Sequence, residues 1–106
     1  MPKLTDKKFS EVIDMTAEEF KGFLEECNPS LGETLSLKNL LNVVYDSINT
    51  NRELLITKYH NSDTSEEDKT EIDTVVAGIV KYMLSIEYKC CLLKERVDLL
   101  VSQTDI

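Results

Sequence analysis

The chain has 106 residues, the length of one domain, of which 42% are apolar and 30% charged, with only three Gly and two Pro. So few turn-forming residues exclude a many-stranded sandwich or barrel, which needs a turn signal about every 8–12 residues. Twenty acids against twelve bases leave a net charge of −8, which repels phosphate backbones and anionic lipid and argues against direct nucleic-acid or membrane binding.

No apolar run reaches the ~18 residues of a membrane span. Residues 1–8 lack the apolar core of a signal peptide. Cys27 stands apart from the adjacent Cys90 and Cys91, so no disulfide framework is expected and a reducing compartment, the cytoplasm, fits best.

Residues 1–15 read as an N-terminal arm in which Phe9, Val12 and Ile13 fit either a short helix capped by Asp6 or, over 10–15, an extended piece. Thr16-Ala17-Glu18-Glu19 is a capping box, with Met15 and Phe20 spaced as a hydrophobic staple. Phe20, Phe23, Leu24 and Cys27 then mark one face of a short helix over 16–27, ended by Asn28-Pro29. Residues 28–36, with one Pro and one Gly, read as a linker.

Two long helices follow, over 37–60 and 65–103. In the first, Leu37, Leu41, Val44, Ile48, Asn51 and Leu55 recur at alternating spacings of four and three, a coiled-coil seam with one polar member. Residues 61–65 read as a turn, and Thr64-Ser65-Glu66-Glu67 as a second capping box. The second seam is apolar throughout: Ile72, Val76, Ile79, Met83, Ile86, Cys90, Leu93, Val97 and Leu100. The two align antiparallel, layer by layer, from Leu55 opposite Ile72 to Leu37 opposite Cys90, each layer joining an a to a d position.

The expected fold is all-α: a single helical domain, 1–106, built as an antiparallel, coiled-coil-like helical hairpin with a short N-terminal helix. A three-helix bundle, or a four-helix bundle made by two copies as a homodimer, completes it. The longer helix overhangs its partner, so Leu93, Val97, Leu100 and Val101 project beyond it. The 16–27 helix or a second copy is expected to cover them, since a bare apolar overhang is unstable in a monomer. Val75 and Tyr82 flank the seam on one helix, and Leu40 and Leu54 on the other. These eight residues are the candidate interface. Ala77-Gly78 is a small pair in mid-helix, either a tolerated irregularity or a point of close approach by another helix.

Little points to catalysis. His60 is the one histidine, so neither a His-based metal cluster nor a Ser-His-Asp relay can be assembled within the chain. Gly22, Gly32 and Gly78 are isolated, which excludes a glycine-rich phosphate loop. Cys90 and Cys91 diverge by about 100° around a helix and are poorly placed to share a metal. The reading is of no catalytic, cofactor-binding or metal-binding residue, and of a protein that is not an enzyme.

Asp63, Glu66, Glu67, Asp68, Glu71 and Asp73 cluster around the turn against Lys69 alone. Acids there complement a helix N-terminus, or they form an anionic patch for a basic partner. The leading expectation is a protein–protein interaction module, an adaptor, assembly factor or small chaperone acting through an apolar helical face. The alternative is an acidic inhibitor or nucleic-acid mimic, of the kind phages or viruses encode, blocking a basic site on a nucleic-acid-binding enzyme. The outline resembles the helical hairpins of the WxG-type secreted family, but the chain has no Trp and 61–65 lacks that family's motif, so nothing is carried over from it.

Overall fold

Helices start where a short polar side chain can accept from the first unsatisfied backbone N–H groups, and break where the backbone cannot continue. The computed structural model describes residues 2–104. In chain order they form a 3₁₀ turn, Leu4–Asp6, and the helices α1 (Phe9–Asp14), α2 (Ala17–Cys27), α3 (Leu31–Tyr59) and α4 (Glu66–Thr104). Of the two readings of the arm, the helical one holds. Asp6 does not cap α1: its carboxylate accepts from the Lys3 N–H at 2.9 Å at the start of the 3₁₀ turn, and the N-cap of α1 is Lys8.

At α2 the Glu19 N–H donates to Thr16 Oγ1 at 3.2 Å as the capping box requires. The reciprocal bond differs, since the Glu19 carboxylate accepts from the Thr16 hydroxyl instead of its N–H. Asn28 ends α2 at φ 44°, in the left-handed region that Asn tolerates, with its N–H returned to the Leu24 carbonyl at 2.9 Å.

The linker is shorter than its Pro and Gly suggest. Only residues 28–30 are non-helical, and α3 begins six residues earlier than the seam alone predicts. Ser30 and Glu33 form a complete capping box, Glu33 N–H to Ser30 Oγ at 3.2 Å and Ser30 N–H to Glu33 Oε1 at 3.3 Å. That offsets the cost of Gly32 in the first turn. Replacing Ser30 by Ala is expected to lower stability by about 1 kcal/mol in urea titration. The second predicted box is also displaced. Ser65 Oγ accepts from the Asp68 N–H at 3.2 Å, while the Thr64 hydroxyl donates to the Lys58 carbonyl at 2.6 Å and locks the turn onto the end of α3.

α3 and α4 form the antiparallel hairpin. At 39 residues α4 is ~58 Å long, and it sets the 60 Å length of the molecule. Ile72, Met83, Ile86 and Leu93 are buried, and Val76, Ile79, Cys90, Val97 and Leu100 half-buried, so the α4 seam faces inward as predicted. The α3 seam does so in part. Asn51 is exposed, and the half-buried Arg52 is turned inward in its place. Across the seam Cys90 Sγ donates to Asn42 Oδ1 at 3.5 Å, and the Lys38 ammonium lies near the same thiol.

The longer α3 removes most of the overhang. Leu93, expected to project, is 0% exposed within one core with Phe20, Phe23, Leu24, Cys27, Leu37, Leu41 and Ile86. Thus the N-terminal segment closes a three-helix arrangement over the open end of the hairpin. Cys27 and Leu93 share that core, so the 16–27 helix covers this part of the expected overhang.

Two cations on α4 hold the N-terminal segment. Lys89 Nζ donates to the Ile13 carbonyl, near the end of α1, and to Ser85 Oγ at 3.3 Å. Arg96 donates through Nη2 to Asn28 Oδ1 and the Pro29 carbonyl, each at 2.7 Å, and through Nε to the same carbonyl at 3.2 Å. Two helical turns separate Lys89 from Arg96. They therefore grip the segment at both ends of α2, which runs parallel to α4.

Candidate interaction surface

A second stripe runs along α4 beside the buried seam, at the same alternating three and four spacing: Asp68, Glu71, Val75, Gly78, Tyr82, Ser85, Lys89, Leu92 and Arg96. At about 100° per residue it lies on the side of the helix facing α1 and α2. Its lower half, from Ser85 to Arg96, is covered: Lys89 is fully buried, and Ser85, Leu92 and Arg96 are half-buried. Its upper half is bare, with Val75 50% and Tyr82 38% exposed and Gly78 exposed between them.

α3 carries the matching stripe, from Leu37, Leu40 and Val44 to Ser47, Asn51 and Leu54. Leu37 and Leu40 meet Leu4 and Phe9 of the N-terminal segment across an open groove of about 630 Å³. Beyond them Ser47 and Asn51 are exposed, and Leu54 is 64% exposed. Asn51 shares its heptad position with the buried Leu37 and the half-buried Val44, and it is exposed because the N-terminal segment does not reach its level. Between the two bare half-stripes, Ile48, Leu55, Val76 and Ile79 form a half-buried apolar floor.

Four of the eight candidate interface residues, Val75, Tyr82, Leu40 and Leu54, therefore share one side of the hairpin. The overhang group does not join them. Leu93 is core, Val97 and Leu100 are half-buried, and Val101 is 45% exposed at the far end of α4. Val80, Leu84 and Tyr88 are also exposed. They lie on the outer side of α4 interleaved with Lys81, Glu87 and Glu95, which makes that side a solvated face. Neither Leu84 nor Tyr88 falls on a seam, so nothing in the periodicity marks them.

The six tip acids are all exposed, but they do not form one surface. Asp68 and Glu71 continue the second stripe, with Glu67 beside it, whereas Glu66 and Asp73 lie on the other side of α4. Lys69 pairs with Glu66 at 3.5 Å and sits 5.7 Å from the Tyr59 ring centroid. At the lower end of the bare groove, burial and the nearby Asp14 carboxylate push the Tyr82 phenol up. Asp14 and Glu19 also lie close enough to Lys89 to oppose the lowering that burial imposes on its ammonium.

Cys27 is buried, Cys90 half-buried and Cys91 exposed, all as free thiols. Burial raises the pKa of both Cys27 and Cys90; Asp6, Glu26 and Glu33 add to the first, and Lys38 opposes the second. Neither is therefore an activated nucleophile. Among the described residues no three His, Cys, Asp or Glu side chains are grouped to hold a metal ion, and no helix is long and apolar enough to cross a membrane. Comparison with protein-family models, with curated proteins and with solved structures finds no match.

Proposed function

We propose that the protein is a non-enzymatic helical interaction module, an adaptor or assembly factor that binds a protein partner on the bare half of the groove between α3 and α4. The observation that carries this reading is the half-filled second stripe. The chain's own helices occupy one half of a three-helix site and leave the other half open, with Val75, Tyr82 and Leu54 at its walls.

Shape and surface support it. The radius of gyration is 17.5 Å, against about 13 Å for a compact domain of this length. The accessible surface of 7341 Å² exceeds by roughly 1,300 Å² the ~6,000 Å² expected for a folded monomer of this mass. A standard interface buries about 800 Å² on each partner.

The test is capture of the natural partner by variants that leave the fold intact. Val75→Asp and Tyr82→Asp are expected to weaken capture at least tenfold, and Leu84→Asp on the outer face to leave it unchanged, with all three keeping the helical circular dichroism of the parent. Capture should weaken in high salt without being abolished. Equal capture by Tyr82→Asp and the parent would remove the reading.

The exposed tip acids, with Lys69 alone paired among them in the described residues, favour a second reading, an acidic inhibitor of a nucleic-acid enzyme. It requires binding that vanishes in high salt and on changing Glu66, Glu67 and Asp68 to Lys, yet survives Tyr82→Asp.

A further inference from the structure

We infer that the occupant of the bare groove is an amphipathic α-helix of another protein with basic residues at both ends of its apolar face. This names the partner chemistry of the proposed interaction site and rests on that reading. The groove is the continuation of the seat that α1 and α2 already fill. A helix lying in it would extend the three-helix packing from Ser85 to the tip with the same seam spacing.

Gly78 sets the depth of approach. A Cβ built on it meets nothing within 4 Å, as at Gly22 and Gly32, so the free chain leaves open space over a position where Gly costs a helix about 1 kcal/mol relative to Ala. Between Val75 and Tyr82 its bare backbone lets an incoming helix come close, flanked by a short apolar wall on one side and a Tyr ring on the other.

Charge identifies the ends. Asp68 and Glu71 stand at the tip end of the groove, and Asp14 and Glu19, on the α1–α2 corner, at the other. Against them stand Lys58 on the α3 rim at the tip and Lys7 and Lys89 beside Asp14 and Glu19, while Glu67 and Glu11 add to the acids at the two ends. From Glu71 to Tyr82 the groove spans about 16 Å, three turns of helix. A second copy of this chain fits poorly, because its net charge of −8 and its own groove acids would face these carboxylates. A helix with Lys or Arg beyond each end of a three-turn apolar face meets them favourably.

The probe is a synthetic helical peptide, three turns with Leu at the a and d positions and Lys–Arg pairs at both ends. It is compared with an otherwise identical peptide ending in Glu pairs. Titrated into the full chain and followed by amide chemical shifts, the basic peptide is expected to perturb Val75, Gly78, Tyr82, Asn51 and Leu54. It should bind at least tenfold more tightly than the Glu-ended one. Gly78→Leu, at an exposed helical position with open space, should keep or raise thermal stability and lose at least tenfold in affinity.

Equal affinity for the two peptides would overturn the charge inference and leave the interaction-module reading standing on its capture test. Shifts that map elsewhere, no binding of either peptide, or indifference to Gly78→Leu would overturn the placement. A sedimentation mass twice 12.1 kDa, reverting to monomer in Gly78→Leu, would assign the groove to a second copy instead.

Discussion

Leu93→Asp is expected to unfold the chain at 25 °C. Leu93 is 0% exposed and packs in the shared core where α2, α3 and α4 meet. Replacing it removes about 1.5–3 kcal/mol of apolar burial. It also leaves a carboxyl group to be buried charged or protonated against its intrinsic pKa, at several kcal/mol more. Together these rival the ~5–15 kcal/mol stability of a small domain. Leu99→Asp, six residues further along α4 at a position 56% exposed, should change stability by no more than about 0.5 kcal/mol. The check is far-ultraviolet circular dichroism with urea titration of both variants. A cooperatively folded Leu93→Asp within about 2 kcal/mol of the parent would contradict the burial of that residue. The same contrast shows why Leu93 is unsuitable as a probe of partner binding, although its place in the seam marks it as an apolar overhang.

Periodicity made the hairpin legible, and polar residues concealed how it is completed. The α4 seam is nine apolar residues at unbroken spacing, and all nine are buried or half-buried. The α3 seam is interrupted where Asn51 and Arg52 are neighbours. Apolar spacing favours the first, whereas the structure turns the second inward, since an Arg stem can pack and carry its head outward. The helical start at Leu31 was hidden by Pro29 and Gly32, which read as linker residues even though Ser30 and Glu33 have the spacing of a capping box. That error lengthened the expected overhang and moved Leu93, Val97 and Leu100 toward the surface.

The second stripe was visible only in fragments. Val75, Tyr82, Leu40 and Leu54 stood out as apolar flanks, but Ser85, Lys89 and Arg96 continue the same line with polar groups. A Lys or Arg on a helix flank ordinarily signals solvent. Here the two cations grip backbone carbonyls at either end of α2, a role no side-chain pattern encodes because the acceptors belong to the main chain. The acidic tip was legible as composition and not as a surface. Its residues are contiguous in sequence but wrap around a helix, so that only some face the groove.

Lys89 decides how firmly the N-terminal segment stays down. Its ammonium satisfies the Ile13 carbonyl at the end of α1 and its stem is enclosed. Lys89→Ala loses the charged hydrogen bond and leaves a void beneath α1, and is expected to cost about 2–4 kcal/mol. Lys89→Met keeps the packed stem and removes a buried charge together with the bond, and should cost no more than about 1.5 kcal/mol. The pH dependence separates charge from packing. Burial holds the Lys89 pKa below its ordinary 10.5, with Asp14 and Glu19 opposing. Between the two values the unfolded chain binds the extra proton, so this group's contribution to stability rises as pH increases through that window and is flat below it. Tyr82 acts in the opposite sense. Its phenol pKa is raised above the ordinary 10.0, so its contribution falls as pH rises from 10.0 toward the folded value. Subtracting the Lys89→Met profile from that of the parent cancels the Tyr82 effect. Urea titrations from pH 7 to 11 should then show the parent gaining on Lys89→Met toward alkaline pH. A level difference would mean that burial does not disfavour the ammonium; a falling one would mean that it is better stabilised in the folded chain than in water, and that the grip on α1 is electrostatic and not a packed stem ended by a hydrogen bond.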